Sequence, residues 1–322
     1  MTQFKKNLLD GEREQQAQMV ARWRQVESNL HDPIELLARR VQEAGLTPSQ
    51  LQSSQFQLDR YRSLMAQVTT ELDRYTDYAA PLIEQQQRVY AQQGIQHASQ
   101  AITAVGVDNG VTIRFDVLPV SATENMIGLA GDGSPLRDLL QDSYGSAADG
   151  MLNELVRATA TGQNPRVTAD RMVRNGLSQS LTRMMATART ESLRVYRESS
   201  RQTYQHSKVI NGYMRIATRD NRVCAACMMD DGQRYAVNEV MAEHVQGRCA
   251  MVPIVAGYKP AEWERGPQWF LSQSATDQQA ILGKGRFDAW QAGKFELDKL
   301  VTVKSDGTWG DSLQVTPLRD LV

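Results

Sequence analysis

"RVCAACMMDDGQRYAVNEVMAEHVQGRC", residues 222–249, holds all three cysteines of a 322-residue chain and one of its four histidines. The spacing is Cys224-x2-Cys227, sixteen residues, then His244-x4-Cys249. A CxxC step sets two thiols on one side of an ion, and a second pair some fifteen to twenty residues on closes a tetrahedron. Sulfur-rich ligation suits Zn²⁺ better than Mg²⁺ or Ca²⁺, which prefer oxygen. Cys224, Cys227, His244 and Cys249 are therefore the candidate ligands of a structural zinc ion.

Four protein ligands fill the shell and leave no position for water, so the expected role is a clip and the chain is expected not to be an enzyme. It contains no HExxH, GxSxG or GxxxxGK[ST] motif, and no histidine here sits in the HxE context of the zinc deaminases. Two other readings exist: three buried thiols with a surface histidine, or a CxxC redox pair. The redox pair lacks the βαβ pattern that normally surrounds it. Around the cluster, Asp231-Gly232 reads as a hairpin turn flanked by the strand-like "RYAV", and short strands begin at Gly212. Residues 209–258 are thus expected to form a small metal-clipped β region.

Upstream of that window the pattern is helical. In the arm, residues 1–103, Asp32 reads as an N-cap with Pro33 at the first helical position and Gly45 as the stop. Thr47 and Pro48 restart the pattern. Leu58, Tyr61, Met65, Val68, Leu72, Tyr75, Ala79 and Leu82 then recur three and four apart, a stripe suited to a partner helix. The partner is expected within the chain as a helical hairpin, or in another subunit as a coiled coil. Pro81 is expected to kink or break the run.

Residues 104–208 open with a turn at Asp108-Asn109-Gly110. Val111, Ile113, Phe115 and Val117 follow in alternation, a strand signature. Gly128–Pro135 reads as a loop. Helices resume, one closed by Gly162 and Pro165, the next capped by Thr168, with Gly176 dividing the run and Leu177, Leu181, Met184, Met185 and Ala188 on one face. The last segment, 259–322, is a Trp-rich helical tail in which Trp263, Trp269 and Trp290 are expected to be local core. The fold class is α+β, mainly α: a helical arm, a helical middle region, the clipped β-hairpin region and a short helical tail.

The bulk numbers fit a globular chain. Hydrophobic residues are 41% and charged ones 23%, and 36 basic against 37 acidic side chains give a net charge of −1. That balance does not predict a strong binder of nucleic acid or anionic membrane. The N-terminus lacks the apolar core of a signal peptide, no run is long enough to span a bilayer, and an odd number of cysteines argues against a disulfide framework. A soluble protein of a reducing cytoplasm is expected.

The window and its flanks together resemble the Mu F-like, or minor head (head morphogenesis), proteins of tailed bacteriophages. The resemblance lies in an ordered set of marks over about residues 180 to 310. A helix carries the triplet Arg189-Thr190-Glu191. "ATRDNRVCAACMMDDGQRY" follows the pattern T-x-D-x-RVC-x-x-C, with Asp220, Arg222 and Asp231-Gly232 in place. Next comes His244 to Cys249 with Arg248 and Pro253, then "WFLSQSATDQQAILGKGRFDAWQAGK". Where the family commonly reads HPxCRC, this chain reads His244-Val-Gln-Gly-Arg-Cys249, with Gly247 at the place of the first cysteine.

The resemblance implies a low-copy structural protein of the virion head, present in the host cytoplasm during assembly. It would contact the portal, the major capsid protein or both, and assist head assembly or genome delivery. Glu191 of the triplet and Arg194 beyond it stand three apart, a spacing at which they could pair, so the triplet reads as a structural salt-bridge set. The competing expectation is a factor that contacts packaged DNA, or a metal-dependent one that acts on it. It would rest on a basic face formed by Arg215, Arg219, Arg222 and Arg234.

Overall fold

In the structure, a computed structural model describing residues 2–52, 61–219, 223–260, 262–306 and 310–322, helices dominate and two small antiparallel sheets lie near the C-terminus. The α+β, mainly α class holds. The chain divides into two compact units: residues 1–86, 128–130 and 134–189, and residues 87–127, 131–133 and 190–322.

The first unit is built on α1 (Thr2–Glu43), α2 (Pro48–Leu51) and the first part of α3 (Tyr61–Asp108). Met19, Trp23, Val26, Leu30, Ile34, Leu37 and Val41 of α1 are all buried and spaced three and four apart. Facing them are Tyr61, Val68, Leu72, Tyr75 and Ala79, with Met65 and Leu82 partly buried; Leu58 lies outside the described residues. Trp23 and Tyr75 meet edge to face with centroids 4.8 Å apart, and the Tyr75 hydroxyl donates to the Met19 carbonyl at 3.0 Å. The predicted stripe is therefore buried within the chain.

Both prolines correct the reading. Pro33 does not start a helix and Pro81 does not end one; α1 and α3 run through them. Proline in a helix interior costs about 3 kcal/mol, whereas each buried large apolar side chain contributes roughly 1.5–3 kcal/mol. Seven such positions on α1 outweigh one proline. Pro81 is also exposed, so water can satisfy the freed carbonyl. Gly45, at φ +60°, terminates α1 as expected, and Thr47 with Gln50 forms a capping box.

The rest of this unit comprises α4 (Leu136–Gln141), α5 (Tyr144–Ala160), α6 (Pro165–Arg171), one π turn (Met172–Gly176) and the start of α7 (Ser178–His206). The cap of α6 is Asn164, not Thr168, which lies buried inside the helix and donates back to the Asn164 carbonyl. Gly176 does divide the run. A Cβ on Gly150 would lie 2.5 Å from the Gly176 carbonyl oxygen, so the backbones meet there at glycine distance. Leu177, Met184 and Ala188 are fully buried, with Leu181 and Met185 beside them.

The second unit takes the later parts of α3 and α7. The strand expected at 111–117 does not form: Ile113 and Phe115 pack against core, Val111 and Val117 are exposed, and among the described residues no strand pairs with the segment. Beyond α7 come β1 (Ile210–Ile216), α8 (Ala225–Met229), β2 (Arg234–Ala236) and β3 (Ala250–Val255), in the antiparallel order β2-β1-β3. Asp231-Gly232 joins α8 to β2 and is not a strand-to-strand hairpin turn. The tail is helical over α9 (Gly266–Leu271), α10 (Ala275–Leu282) and α11 (Lys284–Gln291), then adds a hairpin of β4 (Val301–Asp306) and β5 (Gly310–Val315) that the sequence reading missed. Phe270, Trp269 and Trp290 join Tyr204, Tyr213, Met228, Cys227 and Cys249 in one core.

Candidate metal centre

Each predicted ligand is placed by a local element. Cys224 caps α8, its Sγ accepting the Cys227 N–H at 3.2 Å, so the CxxC step is the first turn of a helix. His244 lies on the loop before β3, and its Nδ1 lies 2.8 Å from the Val245 carbonyl. That contact keeps a proton on Nδ1 and makes Nε2 the nitrogen that can meet an ion once its own proton is displaced. Nε2 stands 3.0 Å from Cys227 Sγ and 3.4 Å from Cys224 Sγ. Cys249, buried at the entry to β3, completes a second set with Cys227 and Glu243. Within each set the donor atoms lie within 4.8 Å of one another, and Cys227 belongs to both. The five side chains form a cluster that could hold a metal ion.

The cluster is strongly polarised. Hydrogen bonding among the thiols pulls the Cys224 pKa down to about 4, while the same bonding pushes Cys227 up. The hydrogen bond to Cys224 raises His244 to about 9. Without an ion the cluster therefore holds a Cys224 thiolate against a His244 imidazolium, and an ion that binds must displace protons.

The residue that organises the cluster was misread from sequence. Arg215, assigned there to a basic surface, is fully buried on β1. One guanidinium nitrogen donates to Cys227 Sγ at 3.4 Å, Cys249 Sγ at 3.3 Å and Glu243 Oε1 at 2.9 Å; the other donates to the Ala242 carbonyl at 2.6 Å. Burial alone would raise the Glu243 pKa, but Arg215 and then Arg197 outweigh it and hold the carboxyl below its usual range. The available signal was an arginine at a core-facing position of a predicted strand, a place where a charge must have partners.

Arg219 is likewise committed, to Asp231 and Glu264, with its guanidinium 4.7 Å above the Trp263 ring. Arg234 is exposed, while Arg222, like Asp220, lies outside the described residues. Asp231 accepts from the Ala217 N–H at 2.8 Å, Arg219 Nε at 2.8 Å and the Trp263 indole at 3.2 Å. The triplet is also structural in its contacts. Arg189 pairs with Glu12, the Thr190 hydroxyl accepts the Gln246 N–H at 3.0 Å, and Glu191 meets Arg194 at 2.6 Å as expected. A cavity of about 300 Å³ adjoins the cluster, lined by Glu191, Arg194, Arg197, Tyr213, Glu243 and His244.

No described helix is long and apolar enough to cross a membrane. No family model, curated protein or solved structure matches the chain.

Proposed function

We propose that this chain is a minor head, or head morphogenesis, structural protein of a tailed phage, present at low copy at the portal vertex or inner capsid. In this reading a zinc ion on the Cys/His cluster fixes the small β region, which serves as a rigid element for contact with portal or capsid protein. One observation carries the reading: marks far apart in sequence are used as scaffolding around one cluster. Thr190 holds the loop of His244, and Asp231 ties the end of β1 to Trp263. Soft thiolate and imidazole donors favour zinc among the common ions. The DNA-acting alternative is weakened because Arg215 and Arg219 are bound up internally.

Mass spectrometry of gradient-purified phage particles tests the assignment. A few copies of this chain per particle would support it. Its absence from particles, with presence in the lysate, would sink it. Elemental analysis of the purified protein tests the clip separately, with one zinc per chain expected.

A further inference from the structure

We propose that Glu243 is a ligand of the metal, completing a mixed set of Cys224, Cys227, His244 and Glu243 in place of the all-soft set with Cys249. This rests on the metal-clip reading above and specifies its chemistry. Three observations converge on the Glu243 carboxylate.

The first is distance. Two ligands of one tetrahedral ion with bonds of about 2.0–2.3 Å stand roughly 3.4–3.8 Å apart. Glu243 Oε1 is 3.7 Å from His244 Nε2 and 3.7 Å from Cys227 Sγ, so it already lies at ligand separation from two members of the Cys224–Cys227–His244 set.

The second is space. A Cβ on Gly247 would lie 2.3 Å from both the carboxyl carbon and Oε1 of Glu243. The carboxylate thus fills the volume that a side chain at 247 would occupy. The backbone brings the two positions together: Gln246 takes φ +64°, the Gly247 N–H closes onto the His244 carbonyl at 2.9 Å, and the Gln246 N–H is held by Thr190. Where the resembling family places a cysteine, this chain has an absent side chain and a carboxylate that reaches in from four residues earlier.

The third is an orphaned atom. Oε1 accepts from Arg215 and from the His244 N–H, but Oε2 is buried with no hydrogen-bond partner among the described residues. The Glu243 side chain is only 6% exposed. A buried carboxylate oxygen without a partner is costly, and a cation held beside the carboxylate at Oε1 would offset that cost.

Cys249 Sγ receives the Arg215 guanidinium at 3.3 Å. The same nitrogen also reaches Cys227 and Glu243, so this contact alone does not set Cys249 apart; in the proposed set, chosen on the distance and space around Glu243, Cys249 is a supporting neighbour of Cys227.

The test is X-ray absorption at the zinc edge on the full-length, zinc-loaded protein. Two sulfur and two nitrogen or oxygen neighbours are expected. Three sulfurs and one nitrogen would overturn the inference and install Cys249 as ligand, leaving the clip itself intact. Failure to bind zinc at all would remove the clip and this inference together. Variants give an independent reading by zinc affinity. Glu243→Gln and Gly247→Ala, the second by expelling the carboxylate, should each weaken zinc by more than about a hundredfold, beyond the loss typical of a supporting neighbour. Cys249→Ser, a change to a supporting neighbour, should cost no more than about ten- to a hundredfold, and less than either of these. The reverse order, with Cys249→Ser the damaging change, would overturn the inference.

Discussion

The two units are held together in opposite ways. The helical unit relies on a long apolar seam in which Trp23, Leu30, Ile34, Val68, Leu72 and Tyr75 each contribute a share. The β region of the second unit relies on a few buried polar groups, Arg215, Glu243, Asp231 and the thiols, linked to one another and to the backbone by hydrogen bonds. A distributed apolar seam tolerates two prolines and degrades gradually. A polar centre fails when one partner leaves, because the group left behind is buried and unpaired.

The largest expected effects attack each side of that contrast. Trp23→Ala should cost about 3–5 kcal/mol by denaturant titration, through the cavity left against Tyr75, and zinc should not rescue it. Arg215→Met should cost a similar amount, about 3–5 kcal/mol, since it strands the Glu243 carboxylate. Adding Glu243→Gln to Arg215→Met should recover part of that loss in a thermal melt. Additive losses would show that the centre behaves like the seam.

Zinc linkage is smaller and sharper. At free zinc a hundredfold above its Kd, binding should stabilise the second unit by about 2.7 kcal/mol. Chelation should then lower the unfolding midpoint seen by the fluorescence of Trp263, Trp269 and Trp290. A Phe substitution series that also removes Trp309 separates these from Trp23, whose own transition should not move. A change in the Trp23 signal of equal size would erase the distinction between the units. Smaller again is Thr47→Ala, which removes a capping box and should cost about 1 kcal/mol, independent of zinc.

The last contrast is chemical. With its pKa lowered to about 4, Cys224 is a thiolate in metal-free protein above that pH, whereas Cys227 is held protonated. Iodoacetamide at pH 6 should therefore label Cys224 first, labelling should fall away as pH drops through about 4, and zinc should protect. Peptide mapping that finds Cys227 labelled first would contradict this charge assignment.

Legibility followed the same division. The seam was readable because period and apolarity carry it: Tyr61 through Ala79 were placed correctly from spacing alone. Gly45, Thr47 and Gly176 were readable because local backbone chemistry leaves few alternatives. Pro33 and Pro81 misled because a local penalty was weighed without the burial on either side. The segment at 111–117 misled because alternation shows that a strand is permitted, not that another strand is there to pair with it. Among the cluster residues, cysteine and histidine announce themselves by type and spacing. Glu243 does not, since nothing local distinguishes a buried charge from a solvated one, and Arg215 is marked only by its core-facing place on a strand. The hairpin β4–β5 had its signal, Asp306-Gly307 between alternating residues, and it was overlooked beside the tryptophans.

Asp231 carries a consequence for the order of events as the chain is made. Its carboxylate gathers donors from Ala217, Arg219 and Trp263, and its own carbonyl receives the Gly266 N–H at 3.0 Å. Until residues 263–266 have been synthesised and docked, the turn after α8 lacks part of its closure, although every cysteine has already been synthesised. The cysteine loop would thus await a segment some fifteen residues downstream of its last thiol. Assembly of the clip then becomes a late event, gated by an indole and a glycine that bind no ion.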